Sequence, residues 1–138
     1  MKQTTDSETM NGVLGDLLAN LGFESVSDME LGEAYHIDME DTPFMDLHVE
    51  KTRPDRLSVT HYVESRGDLC RDPEVVFKQD GEQFIPVEFQ LDNLLGGKYE
   101  HDENGIEGMG EYLDSWGRNL QTQGHVEAAT TATHVGGE

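Results

Sequence analysis

The sequence predicts an α+β fold: an antiparallel sheet of about four strands, running as a meander, covered by an N-terminal and a C-terminal helix. Three patterns predict it. Apolar residues recur every three or four positions near both ends of the chain. Between residues 44 and 92 they alternate every second position instead. Short turn-forming pairs separate the alternating runs, which favours neighbouring antiparallel strands over crossovers. The 138 residues suit one domain with one core.

The first helix is expected within DSETMNGVLGDLLANLGF, residues 6–23. Met10, Val13, Leu14, Leu17, Leu18 and Leu21 form one stripe there. Thr5 with Glu8 fits a capping box, and Gly22 fits a stop. Gly12 and Gly15 weaken the helix by about 1 kcal/mol each relative to Ala, so packing must hold it. Residues 24–43 show little pattern, although Tyr35 and Ile37 can begin a short strand. In FMDLHVEKT, Met45, Leu47 and Val49 share a face opposite Asp46, His48 and Glu50. A turn at Arg53-Pro54-Asp55 leads to RLSVTHYVE, where Leu57, Val59, His61 and Val63 share a face; the two runs read as a hairpin. GDLCRDP reads as a connection, because Gly67 permits a turn and Pro73 makes Asp72 extended. EVVFKQ, the Asp80-Gly81 turn and QFIPVEFQLD follow. Ile85, Val87, Phe89 and Leu91 share a face, and Pro86 points to an edge or a bulge. LLGGKYEHDENG reads as a loop broken by Gly96-Gly97. The second helix carries Ile106, Met109, Leu113, Trp116 and Leu120, with Asn104 and Glu107 to cap its start and Gly124 to end it. The expected organisation is a flexible N-terminus at 1–5, one domain at 6–124 and a disordered tail at 125–138.

The charge balance is extreme: 29 Asp and Glu against 9 Lys and Arg, net -20. Such a surface repels itself at ordinary ionic strength. At molar salt the Debye length falls to about 3 Å and the repulsion is screened. Dense carboxylates with four lysines fit a salt-loaded cytoplasm. The competing explanation is a surface that imitates the DNA backbone, which carries about one charge per 1.7 Å. Without a basic stripe, direct nucleic-acid binding is not expected. Cys70 is the only cysteine, so neither an intrachain disulfide nor a thiolate zinc site is expected. The start, MKQTTDSETM, lacks the apolar core of a signal peptide, and no run reaches membrane-spanning length. A soluble, cytoplasmic protein with no membrane partner is expected.

The nine cations are unevenly placed. Residues 3–50 hold twelve acids and no Lys or Arg, whereas residues 51–78 hold five acids and six bases. A segment spared the acid coat is a candidate contact surface: Arg53, Arg56, His61, Tyr62, Arg66, Arg71 and Lys78. The structural alternative is local ion pairing of Arg66 or Arg71 with Asp68, Asp72 or Glu74, worth under about 1 kcal/mol per exposed pair.

Catalytic patterns are weak by comparison. His48, His61, Asp68, Asp72 and Glu74 sketch a metal site, but they lack tight spacing, and His48 and His61 fall on opposite strand faces. Asp72 followed by Glu88-Phe89-Gln90 matches in outline the acidic set of metal-dependent nucleases, yet Gln90 stands where lysine is needed. There is no GxSxG elbow and no base placed for Cys70. No cofactor and no metal site are expected.

The segments HYVESRGDLCRDPEVVF, PVEFQLDNLLG and EYLDSWGRNLQTQG resemble a family of small uncharacterised prokaryotic domains found in bacteria, archaea, phages and plasmids. The resemblance spans roughly residues 44–124. It rests on His61-Tyr62, Gly67-Asp68-Leu69, Asp72-Pro73-Glu74 and Asp92-Asn93-Leu94; Ser65-Arg66 replaces the family's usual Gln-Asn. It implies a domain rather than a mechanism, and the acid excess would mark a haloarchaeal member. The sequence thus points to a domain of unknown function acting as a non-enzymatic protein-interaction domain at high salt, with its protein partner unspecified. A tie to a mobile element is a further expectation. A DNA-mimicking inhibitor and a metal-dependent hydrolase are the alternatives.

Overall fold

The computed structural model describes residues 7–39, 42–65, 68–92 and 97–136. Thr5, Arg66, Gly67, Asn93, Leu94 and Gly96 lie outside them. The first helix, α1, is Glu8–Leu21. Ser7 caps it: its backbone is extended and its hydroxyl accepts from the Met10 N–H at 3.0 Å, which satisfies one of the four orphan donors of a helix start. The same hydroxyl bonds Asp114 of the second helix. Gly22, at φ 101, ends α1 with its N–H turned back to the Ala19 and Leu18 carbonyls, a conformation that suits glycine.

The sheet has seven strands among the described residues rather than about four. They are β1 (Ala34–Ile37), β2 (Leu47–Arg53), β3 (Arg56–Ser65), β4 (Asp68–Asp80), β5 (Gln83–Leu91), β6 (Lys98–His101) and β7 (Thr133–Gly136). The order is β6-β5-β4-β3-β2-β1-β7, with every neighbouring pair antiparallel. The meander expected from the short turns is therefore present and longer at both sides. The three additional strands, β1, β6 and β7, are four residues each. That is too short for alternation to stand out, although β1 does hold Tyr35 and Ile37, where a short strand is expected; β1 and β6 pair with the longer β2 and β5, and β7 pairs with β1.

Two bulges correct the expected strand faces. β4 begins at Asp68, inside the stretch expected to be a connection. Tyr62 pairs Arg71 and Thr60 pairs Glu74, so His61 alone lies opposite Asp72 and Pro73. The Asp72-Pro73 peptide is cis. A second bulge meets the expectation at Pro86: Val76 pairs Glu88 but Phe77 pairs Pro86. It divides the expected apolar set, so Phe84 and Val87 are buried while Ile85 pairs Lys78.

The second helix, α2, is Gly110–Thr122 and starts after Met109, without a side-chain cap from Asn104 or Glu107. Residues 125–136 are not a structureless tail. They form α3 (His125–Ala128), a 3-10 turn and β7, which pairs with β1. Met10, Val13, Leu14, Leu17 and Leu18 of α1 and Leu113, Trp116 and Leu120 of α2 pack on one sheet face, formed by Leu47, Val49, Leu57, Val59, Val75 and Phe77. Among the described residues, no helix is long and apolar enough to cross a membrane.

The helices touch closely at Gly117, where a Cβ would lie 3.3 Å from both the Met10 Cα and N and 3.2 Å from Thr9 Cγ2. Backbone atoms cannot yield as a flexible side chain can. Overpacking of about 1–3 kcal/mol should then exceed the helix propensity gain of about 1 kcal/mol. Gly117→Ala is expected to lower the thermal midpoint, whereas Gly12→Ala and Gly15→Ala, with nothing within 4 Å of the new Cβ, should raise it. Calorimetry of the three variants checks the contrast.

Candidate interaction surface

Antiparallel register aligns side chains into rows, because directly paired residues share a face. The row Tyr35, Val49, Val59, Val75, Phe89 and Glu100 crosses six strands on the side facing the helices. On the opposite side, helix-free among the described residues, lie His36, His48, Thr60, Glu74, Gln90 and Tyr99. A second row there is Ala34, Glu50, Ser58, Val76, Glu88 and His101. Six strands make this face about 24 Å wide at the usual ~4.8 Å spacing.

The middle of the face is knitted by its own hydrogen bonds. Ser58 donates to Glu74 at 2.5 Å, and Tyr99 donates to Glu88 at 3.0 Å. Arg71 donates through Nε to Asp92 at 3.1 Å and through Nη1 to Gln90 at 3.1 Å, with Glu74 at 3.5 Å. The Arg71 main-chain N–H, foremost, and its guanidinium hold the Asp92 carboxyl below the usual carboxylate range. His48 meets Tyr62 edge-on at 5.8 Å, and Tyr62 remains 37% exposed.

The seven residues singled out in the sequence separate into three groups. Arg53, Tyr62, Arg71 and Lys78 share the helix-free face, with Arg53 and Tyr62 exposed and Arg71 and Lys78 half-buried. Arg56 is on that face too but is buried. Its Nη atoms fork onto Glu103 at 3.2 and 2.5 Å, a bidentate geometry natural to guanidinium. This pairing draws the Glu103 carboxyl down to about 2. His61 is 5% exposed and faces α2, so it is unavailable to a partner. Arg66 lies outside the described residues. Of the anticipated ion pairs, Arg71–Glu74 is present, while Asp92 as the main partner of Arg71 was not anticipated. Lys51 is buried against the helix-bearing side and donates to the Met29 carbonyl at 2.6 Å. The rows add His48, Glu74, Gln90 and Tyr99 to this face; the sequence marks the first three only within metal, ion-pair or nuclease patterns, and no local pattern marks Tyr99.

His61 belongs instead to a buried cluster. Trp116 Nε1–H can only donate, so His61 Nε2 accepts it, at 3.0 Å. His61 Nδ1 then donates to the Asp46 carbonyl at 2.8 Å. His125, fully buried, donates from Nε2 to the Met45 carbonyl at 2.7 Å, and its Nδ1 has no hydrogen-bond partner among the described residues. The two imidazoles are 5.3 Å apart. Among the described residues, no three of His, Cys, Asp and Glu converge as a metal-holding group.

A family model described as "Domain of unknown function (DUF6908)" matches residues 18–126. This interval contains strands β1 to β6 and α2. No curated protein and no solved structure matches the chain.

Burial disfavours the cationic form and lowers the pKa of both His61 and His125. Below the unfolded value of about 6.5, the unfolded chain takes up protons that the native chain refuses. Stability should therefore fall as pH drops from about 6.5, by at most about 1.4 kcal/mol per pH unit for each ring. The carboxylates held low, Asp46 and Asp92, lose their contribution only in the carboxylate range near pH 4 and below. Urea midpoints at pH 7.5 and 5.5, with imidazole NMR titration of the folded protein, check this: the midpoint should drop, and both rings should titrate below the free-imidazole value of about 6.5. Folded-state rings that titrate at or above about 6.5 would refute it.

Proposed function

Because the chain belongs to this family of domains of unknown function, which names no reaction, we propose that it is a non-enzymatic protein-interaction domain, adapted to high salt, that docks its partner on the helix-free sheet face. One observation carries the proposal. A six-strand face is left without helices, its centre is hydrogen-bonded into fixed positions, and Tyr62 stands exposed beside it. A preorganised polar face with an aromatic anchor lowers the ordering cost of binding, and tyrosine is enriched at interface centres. The proposed contact residues are Arg53, Tyr62, Arg71 and Lys78, with Arg66 retained from the sequence and His48, Glu74, Gln90 and Tyr99 added from the rows. Arg56 and His61 support this surface from beneath.

The net charge of -20 supports the high-salt part of the proposal. Chemical denaturation should show rising stability as KCl is increased from about 0.1 M, where the Debye length is about 10 Å, toward 1 M, where it is about 3 Å. A salt-independent midpoint would count against the adaptation. For docking, the proteins captured from native lysate at high salt by the unaltered domain should be lost, at least about tenfold or 1.4 kcal/mol, with Tyr62→Ala. They should be retained with Glu82→Ala, an exposed residue of the β4–β5 turn. Equal capture by both variants would refute the face as the docking site.

A further inference from the structure

The helix-free face has a third row at its end nearest the β2–β3 turn. Arg53 pairs Arg56, Arg56 pairs Lys78, and Lys78 pairs Ile85. Three cations thus stand side by side on adjacent strands in a chain with only nine. Like charges directly opposite one another destabilise a sheet. Internal carboxylates relieve only the middle one, through the Glu103 fork. Among the described residues, neither Arg53 nor Lys78 has a carboxylate within ion-pair distance.

A second, independent observation falls on the same row. Arg56 Nε is buried, in a side chain only 8% exposed, and has no hydrogen-bond partner among the described residues. The nearest carboxylate, Asp55, is 3.7 Å away, which is ion-pair range but too long for a hydrogen bond. A buried donor left unmade is costly. The row is held in place by Glu103 and is incompletely satisfied at its centre and on both flanks.

We propose that the Arg53–Arg56–Lys78 row is a binding site for the carboxylates of an acidic partner segment, with Arg53 and Lys78 making the contacts and Arg56 fixing the spacing between them. This rests on the helix-free face as the docking surface and adds the chemistry of what docks there. The site spans three strands, about 10 Å at ~4.8 Å spacing. An extended peptide advances about 6.6–6.8 Å per two residues, so alternate carboxylates can reach both flanking cations. Nucleic acid fits less well. A phosphate backbone brings a continuous line of charge, and beyond these three cations it would meet a chain with 29 acids.

The test uses the whole chain labelled with nitrogen-15, in 2 M KCl, titrated with acetyl-Gly-Glu-Gly-Glu-Gly-Glu-Gly-amide. Its glutamine analogue, inorganic tripolyphosphate and an oligothymidine octamer are titrated in parallel. At this salt concentration the long-range field of the chain is screened and only charges in contact count, so saturable binding requires a local site. Saturable amide shifts are expected around residues 52–58 and 76–79. Their dissociation constant should rise at least about fivefold in Arg53→Ala and in Lys78→Ala, and stay unchanged in Arg118→Ala, an exposed cation on α2. The glutamine analogue should leave the spectrum unshifted. No saturable shift, equal weakening by Arg118→Ala, equal binding of the glutamine analogue, or tighter binding of tripolyphosphate or oligothymidine would overturn the proposal. The two proposals fail separately. Capture lost in Tyr62→Ala without peptide binding removes the row and keeps the face, whereas peptide binding with capture intact in Tyr62→Ala removes the face and keeps the row.

Discussion

The pairing of β3 with β4 decides which side chains belong to which surface. From Thr60 to Tyr62 the chain takes two steps, while β4 takes three from Glu74 to Arg71. The extra residue reverses the alternation, so Glu74 and Arg71 both reach the helix-free face. There Arg71 finds Asp92, Gln90 and Glu74. Regular pairing would turn the guanidinium toward the helices and α2, where charge without partners is expensive. The residue turned inward instead is Asp72, close enough to act electrostatically on His61 and Tyr112. Burial is the larger influence on both, and the Asp72 charge adds an upward push to each. His61, inward by the regular alternation of β3 with Leu57 and Val59, lies opposite this irregularity and accepts from Trp116.

The charge distribution along the chain gains a different meaning once the register is known. The near-neutral segment holds six cations, and three are used internally. Lys51 secures the loop at Met29, Arg56 secures Glu103, and Arg71 secures Asp92. With so few cations, each placed inside ties a distant acidic segment to the sheet. Local composition cannot separate these from Arg53 and Lys78, which have no such duty among the described residues. Only the cross-strand partner distinguishes them, and that partner lies up to 47 residues away, as for Arg56 and Glu103.

Much of the architecture was legible because it rests on periodicity. The α1 and α2 stripes and the Leu47–Val49 and Leu57–Val59 alternations match the core. Prolines flagged irregularity usefully at Pro86, less so at Pro73, which reads as a strand start yet stands inside β4. The helix-free rows were illegible for a physical reason. His36, His48, Thr60, Glu74, Gln90 and Tyr99 share no period, and only the summed pairing of six strands brings them into line. β7 was illegible for a related reason: its four residues have a partner in β1, about a hundred positions earlier, and no intrinsic alternation long enough to detect.

Salt joins the acid coat to the proposed docking chemistry. At low ionic strength an acidic segment approaching the Arg53–Arg56–Lys78 row meets the field of the entire chain, net -20, before it meets three cations. At molar salt the Debye length of about 3 Å is shorter than the ~4.8 Å between strands. Carboxylates outside the row are then screened, while a carboxylate in direct contact with Arg53 or Lys78 is partly desolvated and screened less. The usual dependence is therefore inverted over this range: salt removes the long-range repulsion faster than it removes the contact. In the proposed high-salt setting, the acid coat and the short cationic row follow one rule: only charges in contact count.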